Sequence, residues 1–158
     1  MSLLNAGVYV VHLLFAALWT GSVLFAWYVV LPLARDGNLN AAPLGTVAGK
    51  LTTISRASAA VLFLTGGHMA AGAAGYTVES LTGTTQGHLV IAMIVLWFAL
   101  AGLVEVGTSK LTDGTGRDKV REPAREATRF FQVGAVLAVL LLVDAGLIIS
   151  SRLGIFLL

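Results

Sequence analysis

The chain contains no cysteine, which excludes disulfides, thiolate metal ligands and a thiol nucleophile. Charge is scarce too: of 158 residues, 11% are Asp, Glu, Lys or Arg, against 57% hydrophobic ones. A soluble domain carries about 25% charged residues, so this composition is that of an integral membrane protein. No glycine-rich phosphate loop follows a strand pattern, no Ser or Thr has a triad context, and HExxH is absent. These absences leave no motif for hydrolytic or phosphoryl chemistry, and no catalytic residue is assigned. The formal net charge of +2 does not point to nucleic acid, because the basic residues are placed as membrane-topology signals.

What the sequence does have is long apolar runs, at about 6–33, 57–76, 87–108 and 130–157. They are continuous rather than alternating, which argues for helices over a β-barrel. Each approaches or exceeds the ~20 residues needed to span a bilayer. The first run is uncharged from Val8 to Ala34. It lacks a basic leader and is too long for a signal peptide, so it reads as a retained helix. Short connections make consecutive helices antiparallel neighbours. The expected fold is all-α: one domain, 1–158, forming an up-down-up-down four-helix transmembrane bundle. Between the runs lie a polar loop, DGNLNAAPLGTVAGK, and a short one, TVESLTGTTQG. The strongly charged segment Lys110–Arg129 is predicted to include a short surface helix after Pro123.

Nine of the ten basic residues lie in or beside the first and third connections: Arg35, Lys50, Arg56, Lys110, Arg117, Lys119, Arg121, Arg125 and Arg129. The positive-inside rule puts those connections in the cytoplasm. Both termini and the 77–87 loop are then extracellular, in a multi-pass plasma-membrane protein.

These directions place the ionisable groups. At 1.5 Å per residue, His12 lies about 10 Å inside Asn5, His68 about 11 Å below Gly75, and Asp144 about 10 Å short of Ser150–Arg152. His88 lies a few ångströms in. Each helix thus offers one ionisable side chain in the outer half of the bilayer, where such groups are costly and mark functional sites. The simpler readings are interhelical hydrogen bonds from single histidines and an Asp144–His pair that locks the bundle. Two neutral imidazoles on facing helices can instead ligate haem iron. Ala71, Gly72 and Gly75, on the face of His68, leave room for a porphyrin, although small residues also serve close helix packing. Arg152 is the basic residue available to propionates at the outer surface. Trp19, seven residues deeper than His12, either floors a flat cavity or belongs to the core. A bare ion is the competing ligand: His12, His68, His88 and Asp144 suit Cu(II) or Zn(II). Cu(I) would favour more Met and Cys than Met69 and Met93 supply. Gly67, Ala71 and Ala74 form a small-residue face that permits a homo-oligomer.

The first helix, with HLLFAALWTGSVLF followed by YVVLP, resembles the opening helix of the copper-resistance D (CopD) domain family and is similar to the related HemJ family. The matching residues are His12, Trp19, Gly21, Leu31 and Pro32. In HLVIAM, His88 takes the place of the lysine that partners the first-helix histidine in HemJ-like proteins. The HemJ resemblance implies haem b and protoporphyrinogen oxidation; the CopD resemblance implies copper uptake across the inner membrane. This chain departs from the HemJ pattern in carrying His for Lys, in lacking the basic and aromatic segment after Leu-Pro, and in having His68. The first departure favours a bis-His haem over the oxidase activity. The sequence therefore leads to a lipid-embedded haem b protein for electron transfer, with an extracellular redox partner. His12 is its expected axial ligand, His88 the second and His68 the reserve. A copper-handling protein and a cofactor-free structural or assembly subunit are the alternatives.

Overall fold

A computed structural model describes residues 3–73 and 75–152, apart from the side chains of Ala73 and Arg152. It is an all-α four-helix bundle, and the chain is a multi-pass membrane protein. Among the described residues, four helical stretches are long and apolar enough to cross a membrane: Leu3–Asp36, Ala41–Gly72, Thr85–Thr115 and Arg121–Ser151.

The first span is built from α1 (Leu3–Phe25), a π-helical turn (Ala26–Val30) and α2 (Leu31–Asp36). Pro32 explains the wide turn, because a proline inside a helix clashes with the carbonyl four residues back. Here Leu31 N–H donates to Ala26 O, five residues back, and the span passes Pro32 without a break. The helix stops at Gly37, whose φ of 81° is a left-handed conformation that favours glycine.

The second span, α3 (Ala41–His68), continues into a π-helical turn, Met69–Ala73. It starts well before the apolar run, inside the stretch expected to be a loop. Its buried residues Leu44, Ala48, Leu51, Ser55, Ser58 and Leu62 follow the alternating four- and three-residue spacing of a heptad seam. Packing against neighbours, rather than hydropathy, keeps the early turns helical. A short α4 (Val78–Gly83) has a capping box between Thr77 and Ser80; it lies against the start of α5 (Thr85–Thr115) at Gly87, where a Cβ would collide with the Ser80 and Leu81 carbonyls. The fourth span is α6 (Arg121–Arg152). The expected surface helix after Pro123 is its opening turns, because Pro123 sits in the first turn, where its missing N–H costs nothing.

Around the bundle α1 packs on α3, α3 on α5, α5 on α6, and α6 on both α1 and α2. The first and third spans therefore stand diagonally, as do the second and fourth. The core runs from Trp19, Val23 and Leu31 through Leu44, Leu100 and Val104 to Ala127, Phe131 and Ala138. It fills the half of the bundle nearer the basic connections. The three histidines all lie toward the other end.

Candidate functional site

His12 is half-buried and faces α3, where its Nδ1 is 2.7 Å from Thr65 Oγ1. The Thr65 hydroxyl donates its single proton to Val61 O, at 2.6 Å. With that proton on the carbonyl, the hydroxyl accepts from the ring, and this hydrogen-bond pattern assigns the proton of the neutral imidazole to Nδ1. The lone pair is left on Nε2. A histidine held through Nδ1–H with Nε2 open is oriented as metal-ligating histidines are. The ring rests on Gly66: a Cβ there would stand 3.4 Å from His12 Cε1.

The other two histidines have separate local partners. His68 is exposed and its Nε2 is 3.3 Å from Asn5 Oδ1, near the start of α1. His88 is exposed as well, and its Nε2 donates to Thr82 O at 2.9 Å, tying α5 to α4. Among the described residues no three His, Cys, Asp or Glu side chains gather at one point.

Asp144 is different: it is 6% exposed, and its Oδ2 has no hydrogen-bond partner among the described residues. Helix register gives its height. Gly134 on α6 faces Val23 on α1; ten residues from each, outward along α6 and back along α1, stand Asp144 and Leu13. On α5, Gln86 donates to Ser151 Oγ at 2.9 Å, and seven residues inward from that pair lie Met93 and Asp144. His12, Thr65, Met93 and Asp144 therefore share one level, one from each span. His68 is about 4.5 Å farther along α3 than Thr65, and His88 about 7.5 Å farther out than Met93.

Among the described residues, three of the four buried polar side-chain atoms without partners lie toward this end, the exception being Ser58 Oγ about two turns below Thr65 on α3. Besides Asp144 Oδ2 they include Trp97 Nε1, one turn below Met93, and Tyr76 Oη beyond α3. Each such atom is costly in a folded protein unless something binds it. Trp97 is otherwise packed between Phe63 and Phe98, at 5.6 and 4.6 Å between ring centroids. Trp19, 2% exposed, belongs to the core and donates from Nε1 to Ser55 Oγ at 2.9 Å, below His12. Ala71, Gly72 and Gly75 are exposed, with nothing within 4 Å of a Cβ at Gly72 or Gly75. The side chain of Arg152 and all of Ala74 lie outside the described residues.

Sequence reasoning passed over Thr65 and weighed Met93 only in judging a Cu(I) pathway. Thr65 is the polar residue in VLFLTGGH, and a hydroxyl in an apolar run three residues before a histidine was the available signal. Met93 carries none, because a lone Met in an apolar helix is ordinary.

No family model matches this chain, and neither a curated protein nor a solved structure matches it.

Proposed function

We propose that this membrane protein binds haem b near its histidine end, with His12 Nε2 as an iron ligand, and serves electron transfer. The observation that carries this reading is the His12–Thr65 contact, which holds the proton on Nδ1 and frees Nε2 within the bundle. The donor set supports haem over a bare ion. An ion wants three or four protein ligands, whereas a porphyrin brings four nitrogens and asks one or two of the protein. Haem iron would supply a one-electron couple. The chain's own residues do the rest: Thr65 fixes the His12 ring, Trp19 and its Ser55 partner close the level below, and Asp144 tunes the local field. His88 and His68 are the candidates for a second iron ligand and would bind through Nδ1 while Nε2 keeps its contact with Thr82 O or Asn5 Oδ1. Met93, on the diagonal helix at His12's level, is a thioether alternative of a kind haem accepts. The basic asymmetry supports an extracellular histidine end and cytoplasmic 36–56 and 109–129 connections.

The test is the absorption spectrum of the purified protein. A Soret band that is lost in His12→Ala is expected, with a low-spin to high-spin change in one of His88→Ala, His68→Ala or Met93→Leu. Asp144→Asn should keep the band, since Asp144 is not a proposed iron ligand. A colourless protein, or an unchanged spectrum in His12→Ala, overturns the assignment. Copper binding is the second reading, favoured by the unpartnered Asp144 oxygen at the level of His12; metal analysis of a colourless preparation decides it. For orientation, a Cys introduced at Gly116 should resist an impermeant reagent in intact cells.

A further inference from the structure

At the end of the bundle opposite the histidines, a surface groove runs between α5 and α6. Its walls change character along its length. Leu103 and Val133 line the part within the spans, and Lys110, Arg125, Glu126 and Arg129 line the part at the basic end. Arg125 and Arg129 are one turn apart on α6, both exposed, and neither is in an ion pair among the described residues. Lys110 Nζ is 2.9 Å from Glu126 Oε2 and 5.9 Å from the Phe130 ring centroid. The Lys110–Glu126 pair is close to neutral, so the net charge of the groove is that of the two guanidiniums.

We propose that this groove holds one anionic phospholipid, with its phosphate between Arg125 and Arg129 and an acyl chain along Leu103 and Val133. Two features select that ligand. Paired guanidiniums complement a phosphate, and basic pockets between helices at a membrane surface bind anionic headgroups. The apolar walls then continue from the charged end into the spanning part, roughly 12 Å along α6 from Arg125 to Val133. A soluble anion would use only the first feature and a neutral lipid only the second. Glu126 sets a limit on the groove, because its carboxylate repels a phosphate unless Lys110 stays paired with it.

The test titrates the full chain, purified in a neutral detergent, with dioleoyl phosphatidylglycerol and reads bound lipid by native mass spectrometry. One phosphatidylglycerol per chain should be retained at concentrations where dioleoyl phosphatidylcholine is not. Inorganic phosphate at the same concentration should not compete. The double variant Arg125→Gln/Arg129→Gln should weaken retention roughly 30-fold, at about fivefold per guanidinium. Lys50→Gln, which removes one charge at the same end but from α3, should change it less than about twofold. Equal retention of the two lipids, competition by phosphate alone, or an equal loss in Lys50→Gln overturns the proposal. Should the double variant fail to fold, Glu126→Gln reads the groove with the opposite sign. It frees Lys110 and should tighten phosphatidylglycerol binding about fivefold; unchanged or weaker binding overturns the proposal equally.

Discussion

At the basic end, Gly107 on α5 lies so close to α6 that a Cβ would stand 2.8 Å from Phe131 Cε2; at the histidine end, Gly72 has nothing within 4 Å of the same position. Polar groups divide the same way. Near the basic end the buried Thr108 hydroxyl is satisfied by the Val104 carbonyl at 2.9 Å, while the buried Asp144 carboxylate toward the other end has an oxygen without a partner. Close packing and satisfied hydrogen bonds make one end a fastening. Loose packing, accessible imidazoles and orphaned polar atoms are what a ligand site requires, because binding must supply what folding left unmade. The π-helical turn before Pro32 lies within the close-packed half, where Ala26 and Val30 are buried, whereas the other directly follows His68 at the open end. Such turns are frequent at functional sites.

The same substitution at the two ends is the most direct way to break this comparison. Gly107→Leu should destabilise the fold by about 3 kcal/mol, the upper end for overpacking, whereas Gly72→Leu should leave the melting temperature nearly unchanged. Thermal unfolding in detergent followed by circular dichroism reads both, and equal losses would show that the ends are packed alike.

The next effect is on ligand rather than on fold. Thr65→Val keeps the shape of the side chain and removes the acceptor for His12 Nδ1–H. On the proposed haem reading, haem affinity should fall roughly 10- to 100-fold, the usual cost of losing the partner of a ligating histidine, while the melting temperature of the haem-free protein holds. Measured by haem titration, an unchanged affinity would mean that Thr65 does not orient the ring.

Trp19→Phe sharpens the boundary between the two regions. It leaves Ser55 Oγ without its donor inside the core, and the expected loss is about 1–2 kcal/mol, that of one buried hydrogen bond and its stranded partner. Denaturant unfolding of Trp19→Phe against Trp19→Phe/Ser55→Ala separates the two, since the second change should recover part of the loss.

The smallest effect belongs to the Arg56–Glu105 pair, bidentate but with side chains 68% and 47% exposed. Exposed pairs contribute little, so Glu105→Gln should shift the melting temperature no more than repeat measurements scatter. A large shift would show that this pair fastens α3 to α5.

The membrane class, the helix count and the antiparallel order were legible because each rests on local chemistry: run length, charge scarcity and short connections. The helix ends were less so. Hydropathy placed the second span at about 57–76, yet α3 begins at Ala41, because Leu44, Ala48 and Leu51 are buried by neighbouring helices that no window average sees. The heptad spacing of those residues was present in the sequence all along, diluted by Gly, Thr and Pro. The candidate site was legible as a list and not as an arrangement. His12, His68, His88 and Asp144 could be named, but not that His68 turns to Asn5 and His88 to Thr82.

By itself, then, the sequence determined that the chain must cross a membrane as helices, since an apolar run of this length can satisfy its backbone polar groups in lipid in no other open form. It also determined that the three histidines and Asp144 lie toward one end, because residue spacing along a helix is a fixed height. Which of them meet was decided only by tertiary structure. Height says nothing about azimuth, and azimuth depends on how each heptad seam seats against two neighbours at once. That seating turned His12 toward Thr65, buried Asp144 at the same level on α6, and left the other two imidazoles to their local partners.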